Sequence, residues 1–237
     1  MSAWERPRAR GGLVLSRVLG LALLGAVLLA AFGINPFASK CRVRWTVTVM
    51  TPDGPRTGSS VLEVWAYRQS RIGEASGNVF GVRGEAIAIP WEGDYVFAVL
   101  EEGQATWLTR AIIPDTLESG DMVDHVQRIR RMAALERSFD VPERNFPNLV
   151  RFADRNDTES IRAVCLLEGN PSDRAPRRSC AIRPMRVTVT PTRERVTDRI
   201  SALLSWVDTR AGSMTYKGGE NERRPEQNLT TANFKRD

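Results

Sequence analysis

The feature that most constrains this chain is an uncharged run of 17 residues, Val18–Ile34, almost all of them apolar. As a helix with a rise of about 1.5 Å per residue, the run would be roughly 25 Å long, slightly less than the ~30 Å hydrocarbon core of a bilayer. Extending the helix back to Leu13 adds one charge, Arg17, which can reach the headgroups from near the end of the span. We therefore predict a transmembrane anchor over residues 13–34.

The charges beside this segment bear on its orientation. Four arginines and one glutamate precede Val18, and three basic residues follow Ile34 before position 45. The positive-inside rule gives the amino-terminal side a small excess, and a short basic tail over residues 1–12 favours a signal-anchor. We expect this tail inside the cell and the rest of the chain exported.

Other interpretations of the apolar run stay open. Ala31-Phe32-Gly33 has the small-x-small form of a signal-peptidase site, so the segment is also compatible with a cleaved signal peptide. Cys41 lies just beyond the run, where a lipoprotein carries its lipid, but Lys40 stands where lipidation requires a small residue. A buried hairpin of a soluble core is the last alternative, and the length of the run argues against it.

The positive charge belongs mainly to the start of the chain. The net charge is +6, but residues 41–237 hold 29 basic and 27 acidic residues, a balance of +2. A nucleic-acid surface needs a concentrated basic patch with aromatic neighbours. The richest basic stretch has no aromatic residue among its arginines, which are Arg174, Arg177, Arg178, Arg183 and Arg186. We expect no nucleic-acid partner.

Hydrophobic periodicity predicts an α+β domain over residues 41–208, built mainly from an antiparallel sheet. Residues 42–50 alternate between apolar and polar side chains, as in a half-buried strand, and the Pro and Gly of 51–55 supply a turn. The glycine-rich stretch 71–84 reads as a mobile connection. Further strands are predicted over 59–67, 85–89, 95–100, 106–113, 148–152, 161–166 and 185–190.

Two segments have helical spacing and are predicted to cover the sheet. The first carries Met122, Val126, Ile129 and Ala133 on one side, with arginines 128, 130 and 131 facing outward. The second spans 196–207 and ends near Trp206. Residues 210–237 are so polar that they cannot offset the entropy of ordering, and we expect a disordered tail.

The cysteines predict one disulfide in an exported domain. Cys165 and Cys180 flank the loop-like stretch 169–173 and are spaced to join neighbouring strands, which would stabilise the fold by about 3 kcal/mol. Cys41 is then left unpaired, lipidated or intermolecular. Three unrelated thiols are the alternative.

Aromatic residues concentrate on the first hairpin. Trp45, Trp65 and Tyr67 lie there, and core packing is the usual role of strand aromatics. An exposed groove for a glycan or a peptide is the functional interpretation. These three residues are the candidate binding surface.

Several strings together resemble a family of proteobacterial proteins that has no assigned activity. They are Arg42–Val49, Thr51-Pro52-x-Gly54, Gly58–Val64, Gly84–Ile87, Phe152–Asp157, and Val196-Thr197 leading to Trp206. The resemblance covers residues 42 to about 207 and implies a bacterial envelope setting. It supplies no catalytic residues, and Cys165 and Cys180 depart from its pattern.

No catalytic, metal or cofactor motif stands out. His125 is the only histidine, which excludes histidine-rich metal sites and weakens a Ser-His-Asp triad. Asp154-x-Asn156-x-Thr158 imitates the start of a calcium loop, but Glu159 replaces the required glycine and Cys165 the bidentate glutamate. A turn is the better interpretation, and we predict neither a metal nor another cofactor.

These observations favour a non-enzymatic binding or scaffolding module of the bacterial envelope. Its predicted partners are the lipid bilayer and an envelope protein or cell-wall component, with the domain in the periplasm. One alternative is a membrane-tethered hydrolase whose carboxylates, such as Asp154 and Asp157, converge only in the fold. The other is a tethered regulator facing the cytoplasm, which would follow from reversed topology.

Overall fold

Two antiparallel β-sheets make up most of the structure. The computed structural model describes residues 38–69, 77–101, 108, 125–168, 177–180, 182–209 and 229–236. The strands are β1 (Ser39–Thr51), β2 (Gly54–Gln69), β3 (Gly77–Glu85), β4 (Ile87–Trp91), β5 (Asp94–Ala98), β6 (Phe139–Asp140), β7 (Leu149–Phe152), β8 (Ile161–Glu168), β9 (Arg177–Cys180), β10 (Arg183–Thr192) and β11 (Lys235–Arg236). Within these ranges lie the α-helices α1 (His125–Ala133) and α2 (Ile200–Leu203), and Leu108 is helical as well.

The strands form two sheets. Within the described ranges, sheet 1 has six strands in the order β11-β3-β2-β1-β10-β6, and sheet 2 has five in the order β4-β5-β7-β8-β9. Every strand pairing within the described ranges is antiparallel. This confirms the α+β class and its antiparallel character, although the sequence predicts one sheet where the structure has two.

The central hairpin of sheet 1 follows from the alternation in β1 and β2. Val43, Trp45 and Val47 are fully buried, while the residues between them are exposed or half-buried. Thr51 pairs with Gly54 across a two-residue turn, and Gly54 adopts a φ of +106° that a side chain would disfavour. Local sequence therefore determines this hairpin.

The inner face of sheet 1 packs against α1 and one face of sheet 2. This core is formed by residues from all three elements, including Val43, Trp45, Leu62, Val64, Ile87, Ile89, Val96, Val126, Ile129, Met132 and Val189. The face of sheet 1 that points away from this core, here called the outer face, carries the polar residues of β1 and β2. The fold thus leaves one broad strand surface toward solvent.

The second face of sheet 2 is covered by carboxy-terminal segments. Its core contains Ala86, Phe97, Val99, Val150, Phe152 and Ile161, together with Ile200, Leu204, Trp206, Val207, Leu229 and Phe234. Sheet 2 therefore lies between two hydrophobic cores, which explains why consecutive residues of β5, Val96–Ala98, are buried.

Gly84 lies where the chain passes from sheet 1 to sheet 2. Ala86 alone separates β3 from β4, and Gly84 has a φ of +142°. The sequence predicts a mobile connection over 71–84, but this is wrong for residues 77–84, which form most of β3. The glycines in this stretch indicate a loop by composition, but hydrogen bonding to β2 holds the stretch as a strand. Residues 70–76 lie outside the described residues.

Helix α1 confirms one predicted helix and corrects the directions of two of its side chains, Ala133 and Arg128. Met132 is fully buried instead of Ala133, which is exposed. Since each residue advances the helix by about 100°, this change rotates the buried stripe toward position 128. Arg128 is consequently 1% exposed, contrary to the expectation that it faces outward. The predicted strand over 106–113 lies outside the described residues, apart from Leu108, which is helical.

The second predicted helix is reduced to one turn. Only Ile200–Leu203 is α-helical, and turns follow it through residue 209. Leu204, Trp206 and Val207 are nevertheless buried, so the apolar pattern identifies a packing face correctly and its backbone conformation incorrectly.

The carboxy-terminal segment corrects the predicted disordered tail. Residues 210–228 lie outside the described residues, but residues 229–236 form a short 3-10 turn and strand β11, which pairs with β3. Leu229 and Phe234 are buried. The prediction of disorder is wrong for this stretch because two well-placed apolar side chains outweigh the polarity of their neighbours.

Glu85 connects this end of sheet 1 to α2. Its carboxylate is buried, and Oε2 accepts hydrogen bonds from the backbone N–H groups of Arg199 (2.7 Å) and Ile200 (2.9 Å). Burial raises the pKa of Glu85, against the opposing effect of these two hydrogen bonds. The side chain therefore supplies acceptors for the otherwise unpaired donors at the start of a helix.

This pKa shift predicts an unusual pH dependence. A carboxyl group with a raised pKa in the fold adds stability that is fully present below its unfolded pKa and is lost as the pH rises through the folded pKa. Wild type should therefore gain unfolding free energy relative to Glu85→Gln when the pH falls from 7 toward about 4.5. Urea unfolding at several pH values measures this difference. Glu136→Gln, which removes one exposed carboxylate, is the control, and the same trend in both variants would contradict the assignment.

The predicted anchor, residues 13–34, lies outside the described residues. None of the helices in the described ranges combines the length and apolarity needed to cross a bilayer.

Candidate functional site

The three predicted surface aromatics separate into two groups. Trp45 is fully buried between the sheets and so is not a surface residue, which corrects that expectation. It lies on the same side of β1 as Val43 and Val47, because side chains two apart share a face. Trp65 and Tyr67 are half-buried on the outer face of sheet 1.

Trp65 and Tyr67 form a stacked pair. Their ring centroids are 5.9 Å apart and the ring planes differ by 11°. Gly81 of β3 is the register partner of Trp65, and a Cβ added to it would lie 2.6 Å from Cζ2 of the indole. The indole therefore lies across the neighbouring strand in space that only glycine leaves open. The pair presents a flat aromatic surface beside β1.

Cations and one carboxylate surround this pair. Lys40 is the β1 register partner of Trp65, and Arg42 is that of Glu63. Glu63 lies 3.6 Å from Nζ of Lys40 and 3.5 Å from Nε of Arg42, and Arg83 is its partner on β3. We call these six residues the entry-end surface, because they lie where the chain enters sheet 1: Lys40, Arg42, Glu63, Trp65, Tyr67 and Arg83.

The remainder of the outer face is rich in hydroxyl groups. Thr46 pairs with Thr188, and Thr48 with Thr57, whose hydroxyl oxygens are 2.9 Å apart. Thr190 pairs with Arg44, which forms an ion pair with Glu194. Side chains that both donate and accept hydrogen bonds thus cover three adjacent strands. We call Thr46, Thr48, Thr57, Thr188 and Thr190 the threonine rows.

A cleft of about 850 Å³ borders the entry-end surface. The last β10 residue paired with β1 is Thr192, opposite Arg42, so the first residues of β1 extend beyond β10. The end of α1 closes the other side. The cleft is lined by Lys40, Cys41, Arg42, Glu63, Ala133–Glu136 and Pro191–Arg193.

Cys41 brings a thiol to this cleft, but not a reactive one. Its side chain is almost fully buried, and burial raises the pKa of the thiol to about 11. Because the thiolate is the nucleophile, a thiol with such a pKa reacts slowly near neutral pH. Cys41 therefore acts as a small apolar residue of the core.

Thiol labelling tests both this conclusion and the predicted disulfide. At pH 8 the thiolate fraction of Cys41 should be roughly 100-fold below that of an ordinary thiol, so alkylation of the folded protein should be slow. Unfolding without reductant should expose one thiol, and unfolding with reductant all three. Rapid alkylation of the folded chain would contradict the burial of Cys41, and three thiols without reductant would contradict the disulfide.

The register of sheet 2 bears on that disulfide. Cys165 lies directly opposite Cys180 on the neighbouring strand, and Cys165 is disulfide-bonded in this structure. Opposed residues of antiparallel strands have Cα atoms about 4.5–5.5 Å apart, within the range of disulfides. Cys41 is a free cysteine. The Cys165–Cys180 pairing remains a prediction for the oxidised protein, and the labelling experiment decides it.

Asp154 and Asp157, the carboxylates of the hydrolase alternative, accept hydrogen bonds from the backbone of their own loop. Asp154 Oδ1 accepts from the N–H of Asn156, and Asp157 Oδ1 accepts from that of Glu159, each at 2.9 Å. These are turn-forming contacts of a residue with the backbone two positions on. Asp94, which borders the same loop, pairs with Arg155 at 3.1 Å. The loop therefore shows the geometry of a turn rather than of an acid–base pair.

A serine–lysine pair near the carboxy terminus also lacks catalytic chemistry. Nζ of Lys235 donates to Oγ of Ser201 at 2.8 Å, the distance expected of a nucleophile and its base. A lysine base must be neutral, but Asp208 and Asp198 accept from the same ammonium group at 2.9 and 3.0 Å. Their hydrogen bonds raise the pKa of Lys235. The group is a structural clamp that holds β11 to the segment around α2.

The sequence did not identify Glu85, Lys235 or Phe234. Each acts through residues more than twenty positions away, and no local pattern marks such contacts. Among the residues that the structure describes, no three His, Cys, Asp or Glu side chains are grouped as metal ligands. Comparison with protein families, with curated proteins and with solved structures finds no match to this chain. The resemblance in the sequence thus gains no support from them.

Proposed function

We propose that this chain is a single-pass protein of the bacterial inner membrane whose exported domain is a non-enzymatic binding module. In this proposal an envelope protein or the cell wall is contacted through the outer face of sheet 1. The observation that carries it is the composition of that face, where the stacked Trp65 and Tyr67 lie beside cations and the threonine rows.

The reactive groups of the domain support binding over catalysis. The Cys41 thiol is buried, the ammonium group of Lys235 is held by two carboxylates, and Asp154 caps its own turn. By contrast, the threonine rows offer donors and acceptors on the outer face of sheet 1, and aromatic rings offer large contact area at low entropic cost. Such a surface suits a partner recognised by shape and hydrogen bonding.

Export is tested by fusing alkaline phosphatase or β-galactosidase to the carboxy terminus of the full chain. The fusion belongs after Asp237 and not after Asp208, since β11 and Phe234 contribute to the fold. We expect phosphatase activity from the first fusion and no galactosidase activity from the second. The reverse result would overturn the proposed placement and favour the cytoplasm-facing regulator.

Partner binding is tested by photo-crosslinking in intact cells. A photoreactive amino acid at Thr188 lies in the middle of the threonine rows, and the same amino acid at Ala163 lies exposed on β8 of sheet 2. We expect a reproducible adduct from position 188 that position 163 does not give. Equal adduct patterns from both positions would count against this face as the binding surface.

A further inference from the structure

We propose that the entry-end surface docks onto the anionic headgroups of the membrane that anchors the chain. The proposal rests on the proposed function, because it requires the apolar segment to be retained in the bilayer. It assigns the aromatic and cationic end of the outer face to lipid and leaves the threonine rows for the envelope partner.

Chain length limits how far this surface lies from the bilayer. Four residues, 35–38, separate the end of the apolar run from Ser39, the first residue of β1. Fully extended, four residues span at most about 14 Å. Lys40 and its register partner Trp65 therefore lie close to the point at which an anchored chain leaves the membrane.

Strands β2 and β3 extend beyond the first residue of β1. Ser39 pairs with Ala66, so β2 continues for three residues beyond the start of β1. At about 3.4 Å per residue, this extension is roughly 10 Å long. It carries Tyr67 and the exposed Arg68, and β3 adds Phe80, one of the exposed large apolar side chains, opposite Ala66. The part of the domain that extends beyond the start of β1 thus carries two aromatic residues and one arginine.

This composition matches the chemistry of a bilayer surface. Tryptophan and tyrosine favour the headgroup level, where the ring is in apolar surroundings and its polar atom is hydrated. Basic residues near an anionic surface each contribute about 1 kcal/mol of attraction, and the effect falls off within a Debye length. The entry-end surface has three cations, Lys40, Arg42 and Arg83, and one carboxylate, Glu63, so its own balance is positive.

Quenching by brominated lipids tests the contact in the full-length protein. The chain is placed in nanodiscs of brominated phosphatidylcholine with anionic phosphatidylglycerol, and the emission of Trp65→Phe is subtracted from that of wild type. We expect the Trp65 difference emission to be strongly quenched. As a distance control, Met185→Trp adds an indole near the opposite end of the outer face, about 29 Å away along β1, and its emission should not be quenched.

Charge dependence identifies the headgroup. Lys40→Gln combined with Arg42→Gln should weaken docking roughly 30-fold, as should replacing the anionic lipid with zwitterionic lipid. Arg183→Gln with Arg186→Gln, at the far end of the same sheet, is the matched control and should leave the quenching of Trp65 unchanged. If the quenching is the same with zwitterionic lipid and after the Lys40→Gln and Arg42→Gln substitutions, the electrostatic part of the proposal is overturned.

The outcomes separate this inference from the proposed function. If the protein enters nanodiscs but the Trp65 emission is not quenched, docking is overturned while the anchor stands. If the protein does not associate with nanodiscs at all, both are overturned. If quenching is absent and soluble cell-wall glycan shifts the Trp65 emission instead, the surface belongs to a sugar partner and the lipid assignment is wrong.

Discussion

Phe234→Ala is expected to lower the free energy of unfolding by about 3–5 kcal/mol, as is usual for a fully buried phenylalanine. Phe234 is completely buried although it lies only three residues before Asp237. Its ring contacts three aromatic neighbours at centroid distances of 6.0 Å to Phe97, 5.6 Å to Phe152 and 5.6 Å to Trp206. Removing it leaves a cavity at the centre of the second core.

The backbone beside Phe234 adds to the expected loss. The carbonyl of Phe234 accepts from Ala86 N–H at 2.8 Å, and that of Asn233 accepts from Leu100 N–H at 2.7 Å. If the segment detaches, these buried donors near the ends of sheet 2 lose their partners, which costs more than the cavity alone. Loss of Phe234 is therefore expected to release residues 229–236 as a unit.

Urea unfolding measures the change, and limited proteolysis of the folded variant detects the released segment. Met185→Ala is the matched control, because it removes a large apolar side chain that is 51% exposed. We expect less than about 1 kcal/mol from the control. If Phe234→Ala also lowers the free energy of unfolding by less than about 1 kcal/mol, the carboxy-terminal segment does not contribute to the core.

The sequence predicts those parts of the fold that depend on neighbouring residues. The β1–β2 hairpin follows from alternation and from the turn at 51–54, and the hairpin at 92–94 follows from a Gly that can adopt positive φ. Trp45 shows the limit of the same reasoning. It alternates in step with Val43 and Val47, so its position in the strand alone predicts a core residue. The clustering of aromatic residues on the hairpin pointed instead to a surface.

The remaining features depend on contacts between distant segments. The division into two sheets follows from a change of direction at one glycine, and a glycine-rich stretch reads equally well as a loop. Phe234 lies in a polar segment whose average composition indicates disorder, although its ring and that segment's Leu229 are buried in the second core. The entry-end surface likewise joins Lys40, Trp65 and Gly81 from three strands. Only the register of those strands brings the residues together.

Gly84→Ala is expected to cost about 2–6 kcal/mol, because two independent effects add. A φ of +142° is a conformation that side-chain-bearing residues rarely adopt, and such strain costs about 1–3 kcal/mol. The new Cβ would also lie 2.6 Å from Cδ2 of Leu62, which is fully buried and cannot easily move. Overpacking of this kind typically adds about 1–3 kcal/mol.

Gly54→Ala separates these two effects. Gly54 has a φ of +106°, but a Cβ added there meets no atom within 4 Å, so this variant reports the backbone strain alone. We expect it to cost about 1–3 kcal/mol in urea unfolding and Gly84→Ala to cost clearly more. Equal losses would show that Leu62 yields to the new methyl group. A larger loss at Gly84 would show that the connection between the two sheets requires both a positive φ and the absence of a side chain at this position.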